Sequence, residues 1–428
     1  MTKNAYIMGM GPAGLAAALS LLTKGYSVHL IDSRREDQLF SRSQGVVLQE
    51  QTITDFFNLS SLKNKAYFLD QRDFRCQLIA PQELPELNEE ERLDLAFFKL
   101  IEKERTVIAI SDLQRYQYEK LQFIYAKRAY SFKRNTIQFS DDQQLVFHKG
   151  DTQVIEARGK EQELVLEIDG KQQNVHFDLL VDASGKTAKS YTQIWNRQNP
   201  EFAISYEPIE NPEYNAFGII SLAIENAPFE MMRTPVMTPF DSSIILSPEQ
   251  ISELKSLGWK LERSPVFFIK YSKQSETVYA TGEVPEEILQ SKDTGELKKW
   301  FDRIIQLLMK NEKFKTRALN LSSVFKMDLE IASHHAMGLP QGGFYCLIGD
   351  AFMPANFLLG CGIENALEDA AELFNGVENQ FAEQSDYRKE RAEDYIESLE
   401  HFKSLISHRE KISRLRYELQ QLSTQSPP

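Results

Sequence analysis

Gly9-Met10-Gly11-Pro12-Ala13-Gly14 follows the apolar run Ala5 to Met8 and leads into Leu-Ala-Ala-Ala-Leu-Ser-Leu-Leu at residues 15–22. The apolar run reads as a buried central strand, and the alanine- and leucine-rich stretch as a helix that ends near Gly25. Ser27 to Ile31 then reads as a second strand, closed by Asp32. A strand, a glycine-rich turn, a helix and a second strand ending in an acidic residue form the βαβ dinucleotide fingerprint. The three glycines do different work: Gly9 allows the tight turn, Gly11 lets backbone approach a diphosphate, and Gly14 lets helix and strand pack closely. The diphosphate is expected on the free N–H groups of the helix start, Pro12 and Ala13 included. Asp32 is expected to accept hydrogen bonds from an adenosine ribose and to repel a 2′-phosphate, which favours FAD or NAD over NADP. Ser33 and Arg34, next to Asp32, are counted in the same site.

A different reading of the same stretch has to be weighed. Ala5 to Leu22 holds no charge over 18 residues and follows Lys3, as a signal peptide or membrane span would. Gly9, Gly11 and Pro12 weaken such a helix, no small-residue cleavage site stands out, and only the nucleotide reading predicts a following strand that ends in Asp32. The 428 residues suffice for two domains, and 42% hydrophobic residues can build a sizeable core. The formal net charge of −13 disfavours nucleic acid and anionic membrane surfaces as partners. Cys76, Cys346 and Cys361 show no CxxC spacing and suit a reducing, cytoplasmic compartment. The seven histidines lack metal-ligand spacing, so no protein metal site is expected.

Along the chain, Phe40 to Gly45 leads into Val46 and a helix expected through Phe57. Residues 70 to 100 are charged and irregular. Ser111 to Ala126 reads as a helix opening at Ser111, with Asp112 in its first turn. Leu145 to Arg158 and Leu164 to Ile168 read as hairpin strands with Asp169-Gly170 as the turn, and His176 to Val181 as an apolar strand. From about 200 to 325, strands such as Phe217 to Ile224 and Val266 to Tyr271 alternate with turns and a helix near Trp300 to Met309. Phe344 to Ile348 returns to a buried strand. After residue 380 the chain is charged and helical. The expected class is α/β: a Rossmann-like nucleotide-binding domain from 1–70, 101–190 and 325–378, an inserted mixed or antiparallel-sheet domain from 71–100 and 191–324, and a C-terminal helical segment from 379–428.

Two later segments complete the pattern: Val181-Asp182-Ala183-Ser184-Gly185, and Gly349-Asp350-Ala351 followed by Gly360-Cys361-Gly362. In this order the three segments resemble the FAD-dependent aromatic hydroxylase superfamily, the p-hydroxybenzoate hydroxylase-like monooxygenases, over about residues 1 to 375. Phe40 to Leu48, Leu113-Gln114 and the 349–362 loop look most like MICAL-type monooxygenase domains, in which case the substrate is a protein methionine. The superfamily resemblance implies bound FAD, transient NAD(P)H as reductant, and transfer of one oxygen atom through a flavin hydroperoxide to an organic small molecule. It implies that Asp350 accepts from the ribityl chain and that Arg42 and Gln114 contact the cofactor. Leu359, Gly360, Cys361, Gly362 and Ile363 then bring backbone N–H groups to the flavin, where a helix start favours negative charge. No general base is identified; Tyr206, Tyr271 and His335 lie in segments that can line a substrate cavity, although packing roles are commoner for each.

The chain also departs from the superfamily pattern. Ser184 stands where the middle motif carries an aspartate that helps bind FAD and nicotinamide, which puts ordinary NAD(P)H use in doubt. Phe357 replaces a proline of the flavin loop, and Glu364 precedes Asn365 where the asparagine is usual. Ala-Ser-Gly also resembles flavin-dependent halogenases, but Trp195, Trp259 and Trp300 are too far apart for their WxWxIP signature. Two rival functions remain: a flavin dehydrogenase or reductase without oxygen insertion, and a FAD-containing interaction protein whose C-terminal helices bind a protein partner.

Overall fold

The structure, a computed structural model, describes residues 2–42, 44–48, 67–70, 75–78, 88–103, 107–132, 135–185, 189–210, 215–228, 231–232, 236–237, 246–273, 276–309, 314–327, 329–354, 359, 361–382 and 384–425. The helix expected through Phe57, and Ser43, Phe357 and Gly360, lie outside them. The chain divides into two units: Met1–Ile209 with Leu329–Ala392, and Glu210–Asp328 with Glu393–Pro428.

The first unit is built on a six-stranded sheet. Its strands are β1 (Asn4–Met8), β2 (Ser27–Asp32), β3 (Leu145–Lys149), β7 (Leu179–Asp182), β13 (Ala336–Gly338) and β14 (Phe344–Leu347), in the order β13-β14-β7-β1-β2-β3. All pairings are parallel except that of β13 with β14. The central strands are apolar throughout because both sheet faces are covered. On one face Ala5, Ile7, Val28, Leu30, Val181 and Ile348 join Leu15, Ala18 and Leu21 of helix α1 (Pro12–Thr23) in a single core. Helix α6 (Gly362–Asn379) adds Ala366, Ala370 and Leu373 to it, and α3 (Ile110–Ala126) adds Leu121 and Ile124. Alternate residues point the other way: Tyr6 stacks on His29 at 4.5 Å between ring centroids, and Tyr345 stacks on Trp195 of α4 (Lys189–Gln198) at 4.1 Å.

Several elements differ from the sequence reading, each for a local reason. Leu145 to Arg158 is not one strand. Gly150, with φ +74°, turns the chain and donates its N–H to the carbonyls of Asp32 and Arg34. β3 therefore stays beside β2, and β4 (Thr152–Arg158) starts an antiparallel sheet with β5 (Glu163–Ile168) and β6 (Lys171–His176). Asp169-Gly170, at φ +51° and +73°, joins β5 to β6 as a two-residue hairpin. His176 to Val181 is also divided, at Asp178, whose carboxylate accepts from Asn4 N–H at 2.7 Å and so docks the start of β7 beside β1. Helix α3 begins at Ile110 instead of Ser111 and has no side-chain cap, because the short strand Val107–Ala109 runs straight into it. Ile110 N–H donates to the carbonyl of Gln44.

The second unit carries a five-stranded antiparallel sheet. Its order is β9 (Val236–Met237), β10 (Phe267–Ser272), β11 (Thr277–Glu283), β8 (Ala216–Glu225) and β12 (Lys315–Lys326). Ile220, Leu222, Ile269 and Ala280 pack with Trp259 and with Trp300, Phe301 and Ile304 of helix α5 (Thr294–Leu308). That helix starts before the expected Trp300 because the Asp293 carboxylate caps it, accepting from Glu296 N–H at 2.9 Å. None of the described helices is long and apolar enough to cross a membrane.

The turn between β1 and α1 leaves no room for side chains at two positions. A Cβ on Gly14 would lie 2.0 Å from the carbonyl oxygen of Gly9, and one on Gly9, at φ +109°, 2.5 Å from that of Ala183. Gly14→Ala is therefore expected to destabilise the chain by about 2 kcal/mol or more, because rigid backbone must move; urea unfolding beside the wild type measures it.

Candidate functional site

Three segments that are distant in sequence meet at this turn. The Gly9 backbone packs on Ala183 of the second segment, and Gly349 of the third packs on Ala13: a Cβ built on Gly349 would sit 3.1 Å from the Ala13 Cβ. Gly349 has φ +60°, which a side chain would strain. Gly11 behaves differently from its neighbours. Nothing lies within 4 Å of where its Cβ would be, and as N-cap of α1 it offers no side chain to the helix amides. Backbone donors at a helix start beside open space are an anion cradle.

Asp32 is buried at the end of β2 and ties the turn to Arg34. Its carboxylate accepts from Met10 N–H at 2.9 Å, from Arg34 N–H at 3.0 Å, and from the Arg34 guanidinium at 2.8 and 2.6 Å. Burial pushes its pKa up, but the Arg34 and Met10 hydrogen bonds and the Arg34 charge outweigh this and hold it below the usual value. The expected ribose acceptor is thus already paired within the chain, and a ribose would share it with Arg34. Ser33 is exposed. Gln114, at 1% exposure, donates to the Met10 carbonyl at 2.5 Å. Gln114 Oε1 and Arg34 Nη1 are buried without a hydrogen-bond partner. Such orphans are what a site built for a polar ligand presents. Arg42 is exposed by area, yet enough protein surrounds its guanidinium to lower its pKa; the Arg34 charge lowers it further, and Asp32 and Asp350 oppose both. Arg42 therefore feels carboxylates of both the first and third segments.

The second segment holds a buried carboxylate. Asp182 pairs in register with Met8 at the end of β7. It accepts from the Ser184 hydroxyl at 2.6 Å and from Ser184 N–H at 3.0 Å, and the Tyr345 hydroxyl stands 3.4 Å away. Burial raises its pKa to about 6, against the lowering effect of the Ser184 and Tyr345 bonds. Asp182 thus finishes the strand, and Ser184 turns its hydroxyl onto it.

The third segment places Asp350 exposed at the end of β14. Leu359 and the N-cap residue Cys361 are half-buried, Gly362 and Ile363 open α6, and no side chain caps that helix. Burial raises the Cys361 pKa. Tyr206 donates to the Ala351 carbonyl at 2.9 Å. His335 is buried against Phe352 and Tyr387, with centroids 5.0 and 4.8 Å away, and its ring nitrogens have no partner. Burial lowers its pKa to about 4. Tyr271 belongs to the core of the second unit. Sequence reasoning missed Asp369, which accepts from Gly349 N–H at 2.7 Å. A lone carboxylate on the face of α6 shared by Ala366, Ala370 and Leu373 was the available signal. A groove of about 360 Å³ lined by Leu15, Leu19, Leu121, Leu367 and Phe374 involves none of the candidate site residues.

No protein-family model and no curated protein sequence matches the chain. Solved structures do resemble it. The flavin-dependent halogenase CmlS matches with a TM-score of 0.52 at 11% identity, over 94% of this chain and 63% of that one. The p-nitrophenol 4-monooxygenase PnpA of Pseudomonas putida matches with a TM-score of 0.50 at 11% identity, over 100% and 90%. Aklavinone-11 hydroxylase, solved with FAD and aklavinone, matches with a TM-score of 0.54 at 11% identity, over 88% and 62%. The chain spans less than two thirds of the length of the halogenase and of the aklavinone hydroxylase. At these identities the likeness establishes the fold: α/β, of the kind found in flavin-dependent hydroxylases and halogenases.

Asp182 also sets a pH dependence. Its native pKa, about 6, lies above the ordinary 3.8, so folding takes up a proton between those values. The resulting stability is full below the unfolded pKa and is lost as pH rises through the folded one. Measured against Asp182→Asn, which does not titrate, the wild type is expected to lose about 3 kcal/mol from acid to neutral pH. Parallel urea-unfolding series of the two proteins check this; curves that keep a constant separation would contradict it.

Proposed function

We propose that this chain is an FAD-dependent monooxygenase that inserts one oxygen atom into an organic small molecule, with NAD(P)H as reductant. One observation carries the reading. Gly11 stands open at the uncapped start of α1, beside Met10, whose N–H donates to Asp32 and whose carbonyl accepts from Gln114; Gln114 Oε1 and Arg34 Nη1 are buried without a hydrogen-bond partner, and Gly349 packs on Ala13 of the same turn. These residues fit a dinucleotide whose second half extends toward Asp350.

In this reading Gly9, Gly11, Pro12, Ala13 and Gly14 hold the diphosphate, while Asp32, with Ser33 and Arg34 beside it, holds the adenosine ribose. Arg42 and Gln114 bridge toward the ribityl chain, and Asp350 accepts from it. Backbone from Leu359 through Gly360, Cys361 and Gly362 to Ile363 meets the ring system, and the uncapped start of α6 favours negative charge there. FAD, when bound, supplies hydride acceptance and the activation of oxygen. The chain's own part is to bind, to orient, and to keep water from the reacting face. Residues 1–70, 101–190 and 325–378 form the cofactor domain, 71–100 and 191–324 take the substrate, and a cytoplasmic setting suits the chemistry. p-Nitrophenol 4-monooxygenase and aklavinone-11 hydroxylase are named for small aromatic compounds. That supports a small organic substrate over a protein methionine.

A second reading concerns the reductant. The Ser184 hydroxyl is committed to Asp182 at 2.6 Å, so the position that carries a carboxylate in the resembling superfamily presents none. A separate reductase that delivers electrons is then the alternative to NAD(P)H. The halogenase alternative gains nothing from the tryptophans, since Trp195 packs on Tyr345 and the other two lie in the second unit's core.

Two measurements test the proposal. Anaerobic titration of the FAD-loaded protein with NADPH and then NADH is expected to bleach the flavin absorbance with one of them. Bleaching by neither, with dithionite still effective, would remove NAD(P)H from the reading. Gly11→Val replaces a good N-cap residue with a poor one and should cost about 1 kcal/mol of unfolding stability while leaving the chain folded. It should also weaken FAD binding at least about tenfold, because the new side chain fills the cradle. Unaltered binding would mean that the cofactor does not lie on this turn.

A further inference from the structure

Helix α7 (Gln384–Gln425) follows the proposed site in sequence, and neither the motifs nor the proposed mechanism assigns it a role. Its first turns belong to the first unit, which extends to Ala392. There three side chains reach back. The Tyr387 hydroxyl donates to Asp369 Oδ1 at 2.5 Å, and Arg391 Nε approaches the same oxygen at 3.4 Å. Arg388 Nε donates to the Ala332 carbonyl at 2.8 Å, and its guanidinium pairs with Glu207 at 2.5 Å. The other oxygen of Asp369 accepts from Gly349 N–H at 2.7 Å. One carboxylate, 1% exposed, thus ties α7 to the backbone of the residue before Asp350.

We propose that Tyr387 and Arg391 are positioning residues for the flavin half of the cofactor: acting through Asp369, they hold the Gly349-Asp350 turn in the conformation that presents Asp350. This inference rests on the FAD reading above. The geometry argues for a clasp beyond ordinary packing. Gly349 lies at φ +60°, a conformation it leaves at no steric cost, so an external hold on its N–H is what selects that state. Arg391 is 7% exposed and its Nη2 has no hydrogen-bond partner, so its guanidinium is placed for Asp369 at the expense of its own satisfaction. The Tyr387 ring lies near-parallel to Phe352, three residues beyond Gly349, with an interplanar angle of 17° and centroids 6.1 Å apart. The clasp therefore grips the turn from its backbone and from its next aromatic side chain. In the FAD reading the adenosine half falls to Asp32 and Arg34, which bond to each other, with Asp32 also accepting from Met10 N–H, apart from this clasp.

That separation supplies the test. Affinities of FAD and of ADP are measured by isothermal titration for the full-length apoprotein, Tyr387→Phe and Tyr387→Phe/Arg391→Met. Tyr387→Phe keeps the ring and removes only the donor, so it preserves the packing should the double variant fold poorly. Loss of a hydrogen bond to a buried carboxylate is expected to raise the Kd for FAD about tenfold in Tyr387→Phe, with the Kd for ADP within about twofold of wild type. The double variant is expected to lose more on FAD and again spare ADP. An unchanged FAD affinity in Tyr387→Phe, or parallel weakening of FAD and ADP, overturns the inference while leaving the FAD reading intact. A wild-type apoprotein that binds neither FAD nor ADP overturns the FAD reading, and this inference with it.

Discussion

Backbone packed on backbone at the β1–α1 turn is the constraint on which the rest of this molecule depends. Gly14 closes on the Gly9 carbonyl, Gly9 closes on Ala183, and Gly349 closes on Ala13. Side chains at these glycines would push apart the segments that must meet. Because they meet, the ends of β1, β7 and β14 lie side by side, and polar groups at strand ends converge where the sheet itself offers no side chain. Gly11 is the exception, with open space where its three counterparts are crowded. That asymmetry separates glycine used for packing from glycine used for access.

The carboxylates around this turn show how environment divides one residue type into different roles. Asp32 accepts from two backbone N–H groups and a guanidinium, so its charged form is favoured in spite of burial. Asp182 is more deeply buried, and the hydrogen bonds of Ser184 and Tyr345 do not offset that burial, so the proton is held more tightly. Asp369 is enclosed by Gly349, Tyr387 and Arg391 and serves as a junction between elements. Asp350 stays exposed beside them.

The second unit illustrates the limit of residue type as evidence. Its aromatic residues suit an organic substrate, yet Trp259, Trp300, Phe301 and Tyr271 are consumed by its own core. Tyr206 and His335 are likewise taken up within the first unit, by the Ala351 carbonyl and by the rings of Phe352 and Tyr387. No substrate-facing side chain was legible in the sequence, because packing and recognition draw on the same residues.

The amino-acid sequence by itself determined the β1–α1–β2 unit, the return strands β7 and β14, the antiparallel character of the middle region and the helical C-terminal segment. Each depends on interactions within a few tens of residues: apolar runs, glycine at a tight turn, an acidic residue at a strand end. Element boundaries slipped where a distant partner intervened, as at Gly150, held by carbonyls of Asp32 and Arg34, and at Asp178, held by Asn4. Only the tertiary structure decided that Gln114 reaches the Met10 carbonyl and that Tyr387 and Arg391 of α7 meet Asp369, whose other oxygen accepts from Gly349 N–H. Those pairings hold because buried polar groups must find partners wherever the fold brings them, and for residues this far apart the sequence carries no information about which partners arrive.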